Sequence, residues 1–150
     1  MSITLAMPDD LKRLTEMAVS FFNASHYKDY GIDTDRVRDL VSEFLGAKDS
    51  EKCTIVLRDA GTAVGVLAAL ATTNIFNFQR ACGELIWWID PEYRTFKHAS
   101  RMLTVYEYWA KNIAKAQVMQ LVALDDTLDG MYKRKGFTRS ELAYSKNLRS

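Results

Sequence analysis

The run CGELIWWID, residues 82–90, constrains the fold more than any other stretch of the chain. Between Cys82 and Ile89 only Glu84 is ionisable, so the segment has no polar face to turn toward water. A strand of this kind must be covered on both sides. The next two segments set the direction of the sheet. A helical pattern from about Lys97 to Ala116 turns Ala99, Met102, Leu103, Tyr106, Trp109, Ala110 and Ile113 inward, and VMQLVAL (118–124) reads as another buried strand. A strand, one crossover helix and a second strand make a parallel pair.

The rest of the chain builds around that unit. Residues 2–6 read as a short strand. Pro8 and Asp9 open a helix carrying Leu11, Leu14, Ala18, Phe21 and Phe22 on one face. NASHYKDYGID is a loop. A second helix runs from about Thr34 to Ala47, capped by Asp33 or Thr34, with Val37, Leu40, Val41, Phe44 and Leu45 at helical spacing. CTIVLRD and AVGVLAALAT are strands joined by the hairpin signal DAGT, and NIFNFQR is the next connection. After the parallel unit, TLDGMYKRK is a short helix stopped by Gly136, and Phe137 begins a last pair of strands. The expected fold class is mixed α/β in one domain over residues 1–150, in the order β-α-α-β-β-β-α-β-α-β-β.

Composition excludes several classes. At 150 residues and 48% hydrophobic content the chain suits one globular domain, and a formal net charge of +1 gives no general attraction to nucleic acid or membrane. No apolar run is long enough to span a bilayer. The start, MSITLAMPDD, lacks the basic and apolar regions of a signal peptide. Cys53 and Cys82 sit in apolar strands and read as reduced core residues, the pattern of a cytoplasmic protein. His26 and His98 are the only histidines, and neither has metal-ligand spacing to cysteines or carboxylates, so no metal is expected. There is no Gly-x-Ser-x-Gly elbow for a hydrolase. The basic run YKRKGF is short and lies beside Asp125, Asp126 and Asp129, so no nucleic-acid partner is expected.

The candidate site lies just past the central strand. PEYRTFKHASRML (91–103) turns at Pro91 and sets Arg94, Lys97, His98 and Arg101 at the start of a helix, whose free N–H groups already make that end electropositive. Added positive charge there points to an anion, with Ser100 as a further donor and the small Ala99 allowing close approach to the sheet. Glu84, flanked by Leu85, Ile86 and Trp87, is a desolvated carboxylate with a raised pKa. Trp87 and Trp88 face opposite sides of their strand, one in the core and the other free to wall a cavity.

These stretches resemble the GNAT superfamily of N-acetyltransferases. Pro91, Tyr93, Arg94, Ala99, Ser100 and Leu103 match its pyrophosphate loop, and MYKRKGF matches a Tyr-x-x-x-Gly-Phe signature through Tyr132, Gly136 and Phe137. Lys97 stands where the family has its first glycine, and Thr95 where glycine is common. Lys97 offers the diphosphate a point charge instead. The resemblance implies acetyl-CoA as co-substrate, bound by Arg94, Thr95, Phe96, Lys97, His98, Ala99 and Ser100, with its pantetheine arm paired to the main chain of Trp87, Trp88 and Ile89. It implies Glu84 as general base and Tyr132 as general acid, acting on a primary amine of a small molecule or protein. His26, Tyr27 and Tyr30 are the expected acceptor contacts, since aromatic rings near carboxylates suit a cationic amine. IFNFQR is a second expected lip of that pocket, and a homodimer by exchange of the final strands is compatible with the fold. A competing reading is a GNAT-fold binding or structural protein without catalysis. The altered glycine loop favours it, and the retention of Glu84 and Tyr132 argues against it.

Overall fold

A computed structural model describes residues 1–149. Five strands lie in chain order across one sheet: β1 (Ser2–Leu5), β2 (Lys52–Asp59), β3 (Thr62–Thr73), β4 (Arg80–Ile89) and β5 (Val118–Gln120). The first four are antiparallel neighbours, while β4 and β5 run parallel. Helices α1 (Leu11–Ala24) and α2 (Thr34–Gly46) cover one face, and α3 (Phe96–Tyr108) the other. A short helix α4 (Asp129–Arg134) comes after β5. The mixed α/β class expected from the sequence is therefore the one observed.

The central strand is covered twice, as its composition requires. Cys82, Trp87 and Ile89 join the α3-side core with Leu103, Tyr106 and Met131. Leu85, Ile86 and Trp88 pack toward α1 and α2 with Leu14, Ala18 and Phe44. Strict alternation cannot put Cys82 and Trp87 on one face. The register explains it: Ala68 pairs with Ile86 and Ala69 with Glu84, so Leu85 is an extra residue, a β-bulge. The bulge resets the pleat and carries Glu84 and Trp87 to the same side. Both cysteines are free and buried, as expected.

Local signals account for most boundaries. Asp33, rather than Thr34, caps α2 by accepting from the Arg36 amide (3.1 Å). The Asp59–Thr62 hairpin turns through Ala60 (φ 48°) and Gly61 (φ 84°), both left-handed. Gly136 ends α4's turn at φ 90°, which a side chain would disfavour.

Three expectations are corrected. The buried strand expected over residues 118–124 stops at Gln120, and Val122 and Leu124 are 61% and 49% exposed. The strand pair expected after Phe137 does not form: residues 137–149 carry no strand. Both stem from one cause, since β5 leaves the sheet after three residues and offers a later strand no long edge. Ile113, expected to face inward, is 41% exposed. The helix widens into a π turn over Trp109–Ile113, where the Ala114 amide donates to the Trp109 carbonyl (2.9 Å). That turn buries Trp109, Ala110 and Ala114 and rotates Ile113 outward.

Candidate active site

The site is built where β4 and β5 part. They pair only from Ala81–Gly83 to Val118–Gln120. Beyond that point two side chains take up main-chain groups of the departing strand. The Tyr106 hydroxyl donates to the Gln120 carbonyl (2.8 Å), and the Val122 amide donates to Glu84 Oε1 (2.8 Å). From Glu84 to Ile89 the β5 side of β4 has no strand partner, a gap in the ladder.

Glu84 is the chemical centre of this gap. Its second oxygen, Oε2, is buried and has no hydrogen-bond partner. Burial pushes its carboxyl up to about 7, against the Val122 bond, which favours the ionised form. Tyr132, on α4, faces the same side. Its ring lies 6.4 Å from that of Trp87 and 6.2 Å from that of Phe137. Burial, then the charges of Glu84 and Asp125, push its phenol up to about 12, so it stays protonated at neutral pH. A carboxylate poised near neutrality beside a protonated phenol can accept one proton and donate another.

The loop after β4 holds a second feature. Thr95 caps α3 by accepting from the His98 amide (3.1 Å), and the Ala99 amide donates to the Thr95 carbonyl (3.1 Å). The amides of Thr95, Phe96 and Lys97 make no hydrogen bond within the described residues. Three successive free donors at a helix start make a candidate anion cradle. Of the seven residues expected to contact the diphosphate, these three present free main-chain donors. Lys97 is exposed beside them, while the His98 ring bonds the Tyr93 carbonyl (2.8 Å). Ser100 is partly exposed and lies one turn further along α3.

Arg94 lies elsewhere. Its Nε donates to the Ile89 carbonyl (2.7 Å), and its guanidinium sits 4.5 Å over the Trp88 ring, on the α1 side of β4. It therefore braces the strand end and takes up the Ile89 carbonyl. The indole of Trp88 is anchored too, donating to Asp90 Oδ1 (3.0 Å), and Asp90 also pairs with Arg13.

The expected acceptor residues form a turn, His26–Tyr30, between α1 and α2. His26 and Tyr30 line an open cavity of about 540 Å³ together with Asp29, Ala143, Ser145 and Asn147. Tyr27 instead packs inward against Phe21 and Phe22. The C-terminal segment completes this cavity: the Tyr30 hydroxyl donates to Ser145 Oγ (3.1 Å), and Asn147 donates to the Asp29 carbonyl (3.1 Å). The apolar Ile75, Phe76 and Phe78 are exposed at the Arg80 end of β4, away from the anion cradle. Among the described residues no three metal-ligating side chains cluster, and no helix is long and apolar enough to cross a membrane.

Sequence reasoning missed Tyr106 as the clasp on β5 and the bulge at Leu85. A helical stripe marks Tyr106 as buried but is silent on its hydroxyl. No signal marks the bulge, because residues 85–89 are apolar throughout and any register looks equally good.

Comparison by structure finds many solved proteins of similar fold. Aminoglycoside N-acetyltransferase AAC(6')-Iy in complex with CoA superposes with a TM-score of 0.77 at 15% identity, covering 99% of this chain and 95% of that one. The aminoglycoside 6'-N-acetyltransferase AAC(6')-IG of Acinetobacter haemolyticus gives 0.74 at 17%, covering 99% and 100%. A ribosomal-protein-alanine N-acetyltransferase of Brucella melitensis biovar Abortus gives 0.69 at 15%, covering 99% and 100%. A search by sequence against curated proteins finds no match. At such identities the superpositions speak for the fold alone. The sequence profile of the acetyltransferase (GNAT) family, however, matches residues 12–137, from the second residue of α1 through the loop, the splayed strands and the Tyr132–Phe137 turn. The chain therefore belongs to the GNAT acetyltransferase family and is an acyltransferase.

Proposed function

We propose that the protein transfers the acetyl group of acetyl-CoA to a primary amine by direct attack, with Glu84 as general base and Tyr132 as general acid. The observation that carries this reading is Glu84 itself: a buried carboxylate, half unpartnered, at the point where the two parallel strands separate. On this reading the diphosphate rests on the amides of Thr95, Phe96 and Lys97, aided by the Lys97 ammonium. The pantetheine arm fills the gap beside Trp87 and Trp88 as an added strand. Ile89 contributes its main-chain N–H, since its carbonyl is held by Arg94.

Bound in this way, the thioester ends near Glu84 and Tyr132. Glu84 takes one proton from the incoming ammonium and passes it to solvent, the amine lone pair then forms the C–N bond, and Glu84 takes the second proton that the nitrogen must lose to become an amide. The C–S bond breaks, and the departing sulfur takes the proton of Tyr132. The products are the amide and CoA with a free thiol, and the proton on Glu84 returns to Tyr132 through solvent. The acceptor approaches from the cavity lined by His26 and Tyr30, with Tyr27 supporting the wall from behind. Asp29 there suits a cationic amine.

The alternative, a binding protein without catalysis, draws on Lys97 at the family's glycine position. The two readings part on one experiment: thiol release from acetyl-CoA in the presence of spermidine, an amino sugar and a peptide with a free N-terminus. An enzyme releases thiol with at least one of them. Glu84→Gln loses this by about 10²-fold or more and Tyr132→Phe by a smaller factor, while both still bind acetyl-CoA. Acetyl-CoA binding without thiol release from any amine would favour the binding protein.

A further inference from the structure

Two buried polar atoms on the α3 side of β4 have no partner, and the acetyl-transfer chemistry uses only one of them. The first is Glu84 Oε2, and the second is the indole nitrogen of Trp87, Nε1. The other two indoles of the chain are satisfied: Trp88 bonds Asp90 (3.0 Å) and Trp109 donates to the Asp49 carbonyl (2.6 Å). Folded proteins seldom leave a buried donor unpaired, and an orphan of this kind calls for an explanation.

Its position supplies one. Without the bulge at Leu85, Glu84 would share a face with Ile86 and Trp88, and Trp87 would point the other way. The extra residue brings Glu84 and Trp87 to one side, where Trp87 meets Tyr132 ring to ring at 6.4 Å. The Tyr132 hydroxyl also makes no hydrogen bond among the described residues. The three tips are thus one acceptor, Glu84, and two donors, Trp87 and Tyr132.

A thioester carbon under attack by an amine carries three polar atoms. The nitrogen must lose a proton and needs an acceptor. The sulfur must gain one and needs an acid. The oxygen gains charge as the carbonyl π pair moves onto it, and needs a donor that keeps its own proton. Resting on the acetyl-transfer reading, the geometry points to the Trp87 indole N–H as that third group, the side-chain donor to the thioester oxygen. An indole N–H donates only and does not ionise, so it steadies the oxygen without competing with Tyr132 for the role of acid. As C=O re-forms, the C–S pair leaves on sulfur, and the indole proton stays on nitrogen throughout. Within the protein the N–H is buried and has no partner. The thioester, sliding into the gap between β4 and β5, brings the acceptor it lacks.

The test reads the indole directly. In a ¹⁵N-labelled sample the Trp87 Nε1–H signal is assigned by its loss in Trp87→Phe, a change that keeps a ring against Tyr132. Acetyl-CoA should move this signal, and CoA, which lacks the carbonyl, should move it far less. With an amine that supports thiol release, Trp87→Phe should lower kcat on the order of a hundredfold with little change in the dissociation constant for CoA. Equal shifts with CoA and acetyl-CoA, or an unchanged kcat in Trp87→Phe, would overturn the assignment and leave the acetyl-transfer reading intact. A wild-type protein whose melting temperature and indole signals ignore acetyl-CoA would overturn both.

Discussion

At the scale of single residues, Glu84, the proposed base, would set catalysis against stability. Its folded pKa, about 7, lies above the ordinary 4.5. Between those values the folded protein keeps a proton that the unfolded chain has lost. Stability should therefore fall as pH rises from about 4.5 and level off above about 7, at a full cost of about 3 kcal/mol. Glu84→Gln stays neutral and keeps an oxygen for the Val122 amide. Urea denaturation should find it more stable than wild type at pH 8 by about 3 kcal/mol and equal to it near pH 4. Equal stability at both values would mean that Glu84 is not desolvated. With Glu84 as the proposed base, the same titration predicts that the acetyl-transfer rate climbs with pH through about 7, since that carboxyl must be ionised to act. Thr54 is a separate case. Its Oγ is buried without a partner beside a small apolar void lined by Leu14, Ala18, Val66 and Ala68. Thr54→Val keeps the shape and removes the orphan hydroxyl, and should stabilise the protein by about 1 kcal/mol in the same assay without altering turnover.

At the scale of elements, the hairpins and helices were legible because their signals are local. Asp59-Ala60-Gly61-Thr62 announces a two-residue turn, and the structure turns there. It also shows a weakness: Ala60 sits at φ 48°, where asparagine is more at ease. Ala60→Asn should raise stability by about 0.5 kcal/mol, read as a higher melting temperature. A decrease would mean that the turn is held by contacts its dihedrals do not reveal. The end of β5 was not legible. VMQLVAL is as apolar as a buried strand, yet it leaves the sheet after Gln120, because Tyr106 and Glu84 capture the next main-chain groups from outside the strand. Those captures join residues 14 and 38 positions apart, a separation at which one-dimensional patterning carries no signal. The bulge at Leu85 was hidden for the opposite reason. Where both faces of a strand are buried, every register satisfies the hydrophobic pattern.

At the scale of the whole molecule, two layers of helices hold a sheet whose middle is tight and whose β5 side is open. The double cover of β4 was readable from its apolar composition, its parallel neighbour from the order of elements, and the loop that begins α3 from its turn and basic residues. The course of the last residues was not. After Gly136 the sequence has no sustained alternation, and the segment crosses to the His26–Tyr30 turn instead of adding strands. The candidate site thus draws on three parts of the chain: the free amides of Thr95, Phe96 and Lys97, the gap beside β4, and the Glu84–Tyr132 pair. One ligand, long enough to reach from the first to the last, makes sense of all three. A structure determined with acetyl-CoA bound tests this most directly. The account predicts the diphosphate within hydrogen-bonding distance of those three amides and the thioester between Glu84 and Tyr132. Acetyl-CoA seated on another surface, with the three amides still facing water, would contradict it.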